Sequence, residues 1–333
     1  MDTDSWRPYI CSATRGRVFL SPRLALFVDA AVLEEVAPAS DAALLAPPLV
    51  ARFLAALEGL LARFDAVVGK APPLTHAHEG RQHVEVAHLP GAAGLAHHGR
   101  AGFAVGPAFL RESLQSFAAA GREPFIHHVF GYEASRNYIF PEEFTPPFKY
   151  SCAEGPECWG WLNQGFVNIM GCLLLADRPG GVGFSYFGHS AAAFRSGMEG
   201  HLLFYIARRA GLQCGAPRSG GGEACGFAEA FLHERLPWAP HQSLDNLFSG
   251  IISVLFRAHG GARFLRGVFR ALPHLRARLP AHIFDHGVAC ENIVAACSVG
   301  AREDLSPFFG GLGFPVGAAQ SARIAALLAA CAN

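Results

Sequence analysis

The spacing of apolar residues changes along this chain, and the change restricts its fold more than any other feature. In the first hundred residues the short runs 17–20, 24–28 and 82–88 have the character of extended segments, with clean two-residue alternation in 82–88. One long helix is predicted among them, over 49–68. There Leu49, Phe53, Leu54, Leu57, Leu60, Leu61 and Phe64 recur at intervals of three and four. Residues 101–106 read as a further short strand, at an edge, and 109–120 as a helix. From Pro124 onward the helical period takes over, in 124–138, 159–176, 191–211, 245–259, 262–272, 282–299 and 317–330. Strands mixed with helices, followed by helices alone, predict an α+β fold. The expected organisation is a mixed α/β lobe over 1–140 and a mainly helical lobe over 141–333, with a cleft between the lobes.

Composition narrows the function classes. Hydrophobic residues make up 51% and charged residues 16%, the balance of an ordered globular chain. Lys plus Arg (27) equals Asp plus Glu (27), and no basic stripe with interleaved aromatics stands out, so no nucleic-acid partner is expected. The longest apolar run, 167–176, is too short for a membrane span. The first residues lack a basic stretch followed by an apolar one, which predicts a cytoplasmic location. Nine scattered cysteines without a Cys-x-x-Cys pair read as reduced, mostly buried thiols, with a Cys152–Cys158 disulfide as the alternative.

The helix predicted over 124–138 carries the strongest chemical signal. Pro124 suits a first helical turn, and Pro141 stops the run. Tyr132 and Arg136 are four residues apart and share a face, which Glu133 borders. A zincin helix uses this geometry. Two histidines at i and i+4 hold zinc, and the glutamate after the first is general base on the metal-bound water.

Residues 131–138 resemble the H-E-x-x-H-N-aromatic motif of gluzincin peptidases, in particular the enhancin- and mucin-degrading zinc peptidases. Tyr132 then stands at the first histidine, Glu133 at the catalytic glutamate and Arg136 at the second histidine. Asn137 and Tyr138 match the tail. Gln164 and Asn168 match that family's Glu-x-x-x-Asn, with Gln164 at the glutamate ligand, and 304–309 with 313–316 resemble its closing segment. The resemblance implies a zincin-like fold in which strand 101–106, with Phe103, lines a substrate cleft. His97 and His98, in a glycine-flanked loop, are candidates to face that cleft. His128 is another, on the stripe with Tyr132 and Arg136.

All three implied zinc ligands are replaced. A phenol must lose a proton from a pKa of about 10 before it binds a metal well. Arginine does not lose its proton and repels a cation. Glutamine is a weak neutral donor. No cofactor is therefore expected at this position, and Arg136 is expected to pair with Glu133. The alternative is zinc at a shifted site built from His128 with Glu133 or His97. Two functions stay open. One is a silent peptidase homologue that binds a peptide, glycan or protein. The other is an enzyme rebuilt around Glu133 as acid or base, Tyr132 as hydrogen-bond donor and Arg136 as anion anchor.

Overall fold

The computed structural model describes residues 16–74, 77–140, 142–143, 160–176, 182–209, 244–276, 286–314, 316–317 and 319–331. The loops read at 141–156 and 213–223, apart from residues 142–143, lie outside these residues, as do Cys152, Cys158 and Pro315. In chain order the structure runs β1 (Gly16–Leu20), β2 (Leu24–Asp29), α1 (Leu33–Val36), α2 (Pro47–Val68), β3 (Ala77–His78), β4 (Arg81–Val86), β5 (Gly94–Ala96), β6 (Phe103–Val105), α3 (Pro107–Ala118), β7 (Phe125–His127) and α4 (His128–Asn137). It continues with α5 (Gly160–Ala176), β8 (Gly183–Tyr186), β9 (His189–Ser190) and α6 (Ala191–Arg209). The remaining helices are α7 (Leu244–Ala258), α8 (Ala262–Arg276), α9 (His286–Ala301), α10 (Ser306–Gly311) and α11 (Gln320–Ala330). The class is α+β. Two compact units emerge. The first comprises 1–66, 70–140 and 170–194, and the second comprises 67–69, 141–169 and 195–333.

The first unit is built on a sheet of order β1-β2-β4-β6-β5, with β3 also on β4. β2, β4 and β6 run parallel, and β1 and β5 close the two edges antiparallel. The long helix α2 supplies the crossover between the parallel strands β2 and β4. Register puts Leu26, Val84 and Phe103 side by side on one face. That face carries the core. Phe103 packs edge-on to Phe130 of α4, and Phe130 to Phe53 of α2, with centroids 6.3 and 5.1 Å apart. The seven apolar residues expected to define the α2 stripe are all buried except Leu49, which shares the exposed first turn. At the other end of α2, Tyr138 stacks on Phe64 and donates its hydroxyl to Asp65 at 2.7 Å, while Asp65 pairs with Arg23.

Three segments differ from the sequence reading, each for a tertiary reason. Residues 125–127 are not the start of a helix, because they pair in parallel with β8, nearly sixty residues later. Residues 94–96, the start of the glycine-flanked stretch read as a loop around His97 and His98, form the strand β5 because they pair with β6. Residues 103–105 are interior rather than at the edge, because β5 covers their far side. The cysteine reading holds for Cys172, Cys290, Cys297 and Cys331, which are buried thiols.

No single helix among the described residues is long and apolar enough to cross a membrane. The second unit is mainly helical. α5 crosses α7 closely at Gly165, whose missing side chain leaves room for Phe248. Ser249 ties the same crossing by donating to the Gly165 carbonyl at 2.9 Å.

Within the first unit, α4 and α5 meet backbone to backbone. A Cβ on Gly171 would lie 2.9 Å from the Gly131 Cα. Gly171→Val is therefore expected to cost about 2 kcal/mol or more of stability through overpacking. Urea unfolding checks this, and a variant as stable as the parent would show that the helices do not touch there.

Candidate functional site

The site is assembled on α4, and both ends of that helix are pinned. At its start the His127 ring caps the helix, its Nδ1 accepting from the Val129 amide at 3.3 Å. The His127 amide itself donates to Ser113 Oγ at 3.0 Å. At its end Asn137 is buried, and its amide uses donors and acceptor together. Nδ2 donates to the carbonyls of His97 and Gly102, at 3.1 and 3.0 Å, and Oδ1 accepts from Gln82 at 3.2 Å. The Gly99 amide adds a bond to the Arg136 carbonyl. The loop 97–102 and strand β4 are thereby fixed to the helix that carries Glu133.

Glu133 points onto the edge strand. Gly94 of β5 faces it, and a Cβ there would stand 2.6 Å from the Glu133 Cγ and 2.8 Å from Oε1. Only a residue without a side chain leaves this space. The glutamate is 2% exposed. Arg136 Nη1 stands 3.4 Å from its Oε2, long for a charge-assisted hydrogen bond. Burial pushes the Glu133 carboxyl up to about 7, and the neighbouring Arg136 guanidinium offsets only part of that cost. Arg136 also lies over the Tyr132 ring, 5.7 Å from its centroid, and its Nε is 3.4 Å from His98 Nε2. His98 is held down to about 4 by burial first, then by the charge of Arg136 and by His97. It stays a neutral acceptor beside a permanent cation.

Of the residues singled out from the sequence, Tyr132, Glu133, Arg136, Asn137, His97 and His98 gather around the C-terminal half of α4 and its bounding loop. His128 lies one turn back, buried against the rings of Tyr132, Phe184, Tyr186 and Phe194, with centroids 5.0 to 5.8 Å away. Burial, with His127 beside it, lowers its pKa to about 3. Phe103 is fully buried in the core of the sheet. Gln164 is half-buried on α5 in the second unit, and Asn168 one turn on donates to Asp245 at 3.2 Å. Gly94 and Gln82 were not foreseen. The first needed knowledge that 94–96 is a strand, and the second needed its partner on α4.

These residues do not fit a zinc ion. The position that the resemblance matches to a second ligand is Arg136, whose guanidinium cannot donate an electron pair and already faces the Glu133 carboxyl. Among the described residues no three His, Cys, Asp or Glu side chains stand together so as to hold a metal.

No protein-family model and no curated protein sequence matches this chain. Two solved structures are similar in fold, a functionally unknown conserved protein from Bacillus anthracis str. Ames and a mutant of such a protein from the same organism. Their TM-scores are 0.51 and 0.53, at 13% and 12% identity, over 98% of this chain. The match spans 55% of each of those chains, and at such identity the likeness is one of fold alone.

The protonation of Glu133 has a measurable signature. The folded carboxyl holds its proton to about pH 7, whereas the unfolded one releases it near its ordinary value of 4.5. The stability that goes with the bound proton is complete below 4.5 and is lost as pH rises through 7. Glu133→Gln removes this titration, so its stability relative to the parent should rise from pH 5 to pH 8. The increment is on the order of 2–3 kcal/mol. The buried histidines have the opposite sign but are common to both proteins. Equal denaturation midpoints for parent and variant at both pH values would overturn the burial of an ionisable Glu133.

Proposed function

We propose that the chain is a zincin-like domain without a metal centre, a peptidase homologue that binds an extended segment instead of hydrolysing it. The observation that carries this reading is the buried Glu133 packed on the edge strand, with Arg136 beside it. A glutamate that is 2% exposed is not open to a water beside a substrate bond, and the cation next to it stands where the resembled motif has a metal ligand. The motif's remaining architecture supports the same reading. α4 lies on the core face of the sheet, next to an antiparallel edge strand, β5. Among the described residues no strand pairs with the outer side of β5. An edge of this kind accepts an added strand through main-chain hydrogen bonds. A peptide or an extended loop of a partner protein fits that chemistry directly, and a glycan is the third candidate partner.

One observation favours the second reading, an enzyme with a rebuilt site. A carboxyl titrating near 7 is matched to general acid or base work at neutral pH. Tyr132 would then donate a hydrogen bond, and Arg136 would hold an anionic group.

Incubating the purified chain with unfolded casein and with extended peptides, with and without added zinc, separates the readings. The proposal expects no new chain termini by mass spectrometry in either condition. It also expects slowed amide exchange at residues 94–96 when peptide is present. Zinc-dependent cleavage would identify a working peptidase. Metal-independent turnover abolished by Glu133→Gln would identify the rebuilt enzyme.

A further inference from the structure

In the second unit four arginines converge on one cavity. Arg263, Arg266 and Arg270 lie at i, i+3 and i+7 on α8, along one face. This helix contains no Asp or Glu. Arg302 joins them from the turn after α9, where its backbone adopts the left-handed region at φ 63°. The helices are brought together by a glycine pair. A Cβ on Gly267 would stand 2.7 Å from the Gly300 Cα, and one on Gly300 would stand 2.7 Å from the Phe264 carbonyl oxygen. Without side chains at these two places the helices touch, and a cavity of about 310 Å³ opens beside the contact.

Among the described residues the lining of this cavity includes four arginines and no Asp or Glu. Glu303, the acid nearest in sequence, faces His259 at 3.5 Å and is not part of the lining. Among the described residues the side chains of Arg266 and Arg302 form no ion pair. Arg263 donates only to the His259 carbonyl, at 3.4 Å. Arg270 donates to the Cys331 carbonyl at the end of α11. The C-terminal ends of α9 and α11 also face the lining, and two helix ends amount to roughly one negative elementary charge. Arg263, Arg266 and Arg302 alone bring three positive charges that no acid among the described residues pairs with, in a chain whose net charge is zero.

We propose that this cavity binds a small phosphorylated anion, a ligand carrying at least two phosphoryl charges such as a pyrophosphate group. Guanidinium forks match phosphate oxygens in pairs, and several converging forks select a multiply charged group over a single carboxylate. The volume lies at the small end of ligand pockets, which suits a compact soluble ligand rather than a polymer. The proposal is independent of the Glu133 site.

Titration calorimetry of the whole chain with sodium pyrophosphate tests it, against sodium chloride at equal ionic strength. One-to-one binding with a dissociation constant below about 1 mM is expected. The double variant Arg266→Gln/Arg302→Gln should bind at least about tenfold more weakly. Arg17→Gln, an exposed arginine on β1, should bind as the parent does. Arg266→Lys, which keeps the charge but loses the fork, should fall between, and it decides the matter if the double variant folds poorly. Absence of binding, equal binding by the double variant, or binding only to vesicles containing phosphatidic acid would each overturn the assignment.

Discussion

Asn137 is the point on which the candidate site depends. One buried amide joins the last turn of α4 to the carbonyls of His97 and Gly102 and to Gln82 on β4. Each of these groups is of the kind that costs free energy when buried unpaired, about 1–3 kcal/mol apiece. The arrangement fixes three pieces of chain at once, namely the helix, the loop 97–102 and the strand β4. With the helix held at this angle, Glu133 has no direction to take except toward Gly94, and Arg136 is left at the rim between Glu133, Tyr132 and His98. The electrostatics follow from the packing. A carboxylate placed where water is excluded holds its proton more firmly, and a guanidinium 3.4 Å away relieves only part of the penalty.

Glycine has a comparable part in both units. Gly131 against Gly171, Gly165 against Phe248, and Gly267 against Gly300 are positions where a single methyl would press on a neighbouring helix. Close crossings of this kind let short helices bury apolar faces without long side chains between them. In the second unit the same device leaves a hollow beside the Gly267–Gly300 contact, rimmed by arginines. The chain's neutrality thus hides a local concentration of positive charge.

The helices were legible from the sequence because their apolar period is local. α2, α3, α7, α8 and α11 lie within a few residues of the spans read from spacing. The strands were less so. β4 alternates and was read, but β5, β7 and β8 are three or four residues long; β5 is a strand through its antiparallel pairing with the nearby β6, and β7 and β8 through pairing nearly sixty residues apart. For the same reason the interior position of 103–105 could not be seen before its partners were known. The cluster of Tyr132, Glu133, Arg136 and Asn137 was legible because it lies on one helix. Its burial was not, since that depends on Gly94, whose role comes from strand pairing. The spacing of Arg263, Arg266 and Arg270 was present in the sequence. Its significance appears only when Arg302 arrives from another helix and no acid arrives with it.

On the proposed reading, Arg136, 3.4 Å from Glu133, takes the electrostatic place that a divalent cation fills in a zinc peptidase. Two like charges repel strongly beside a buried carboxyl. Elemental mass spectrometry of the purified chain after dialysis against zinc tests this directly. Zinc is expected far below one atom per chain, with no difference in Glu133→Ala. One zinc per chain, lost in Glu133→Ala, would contradict it.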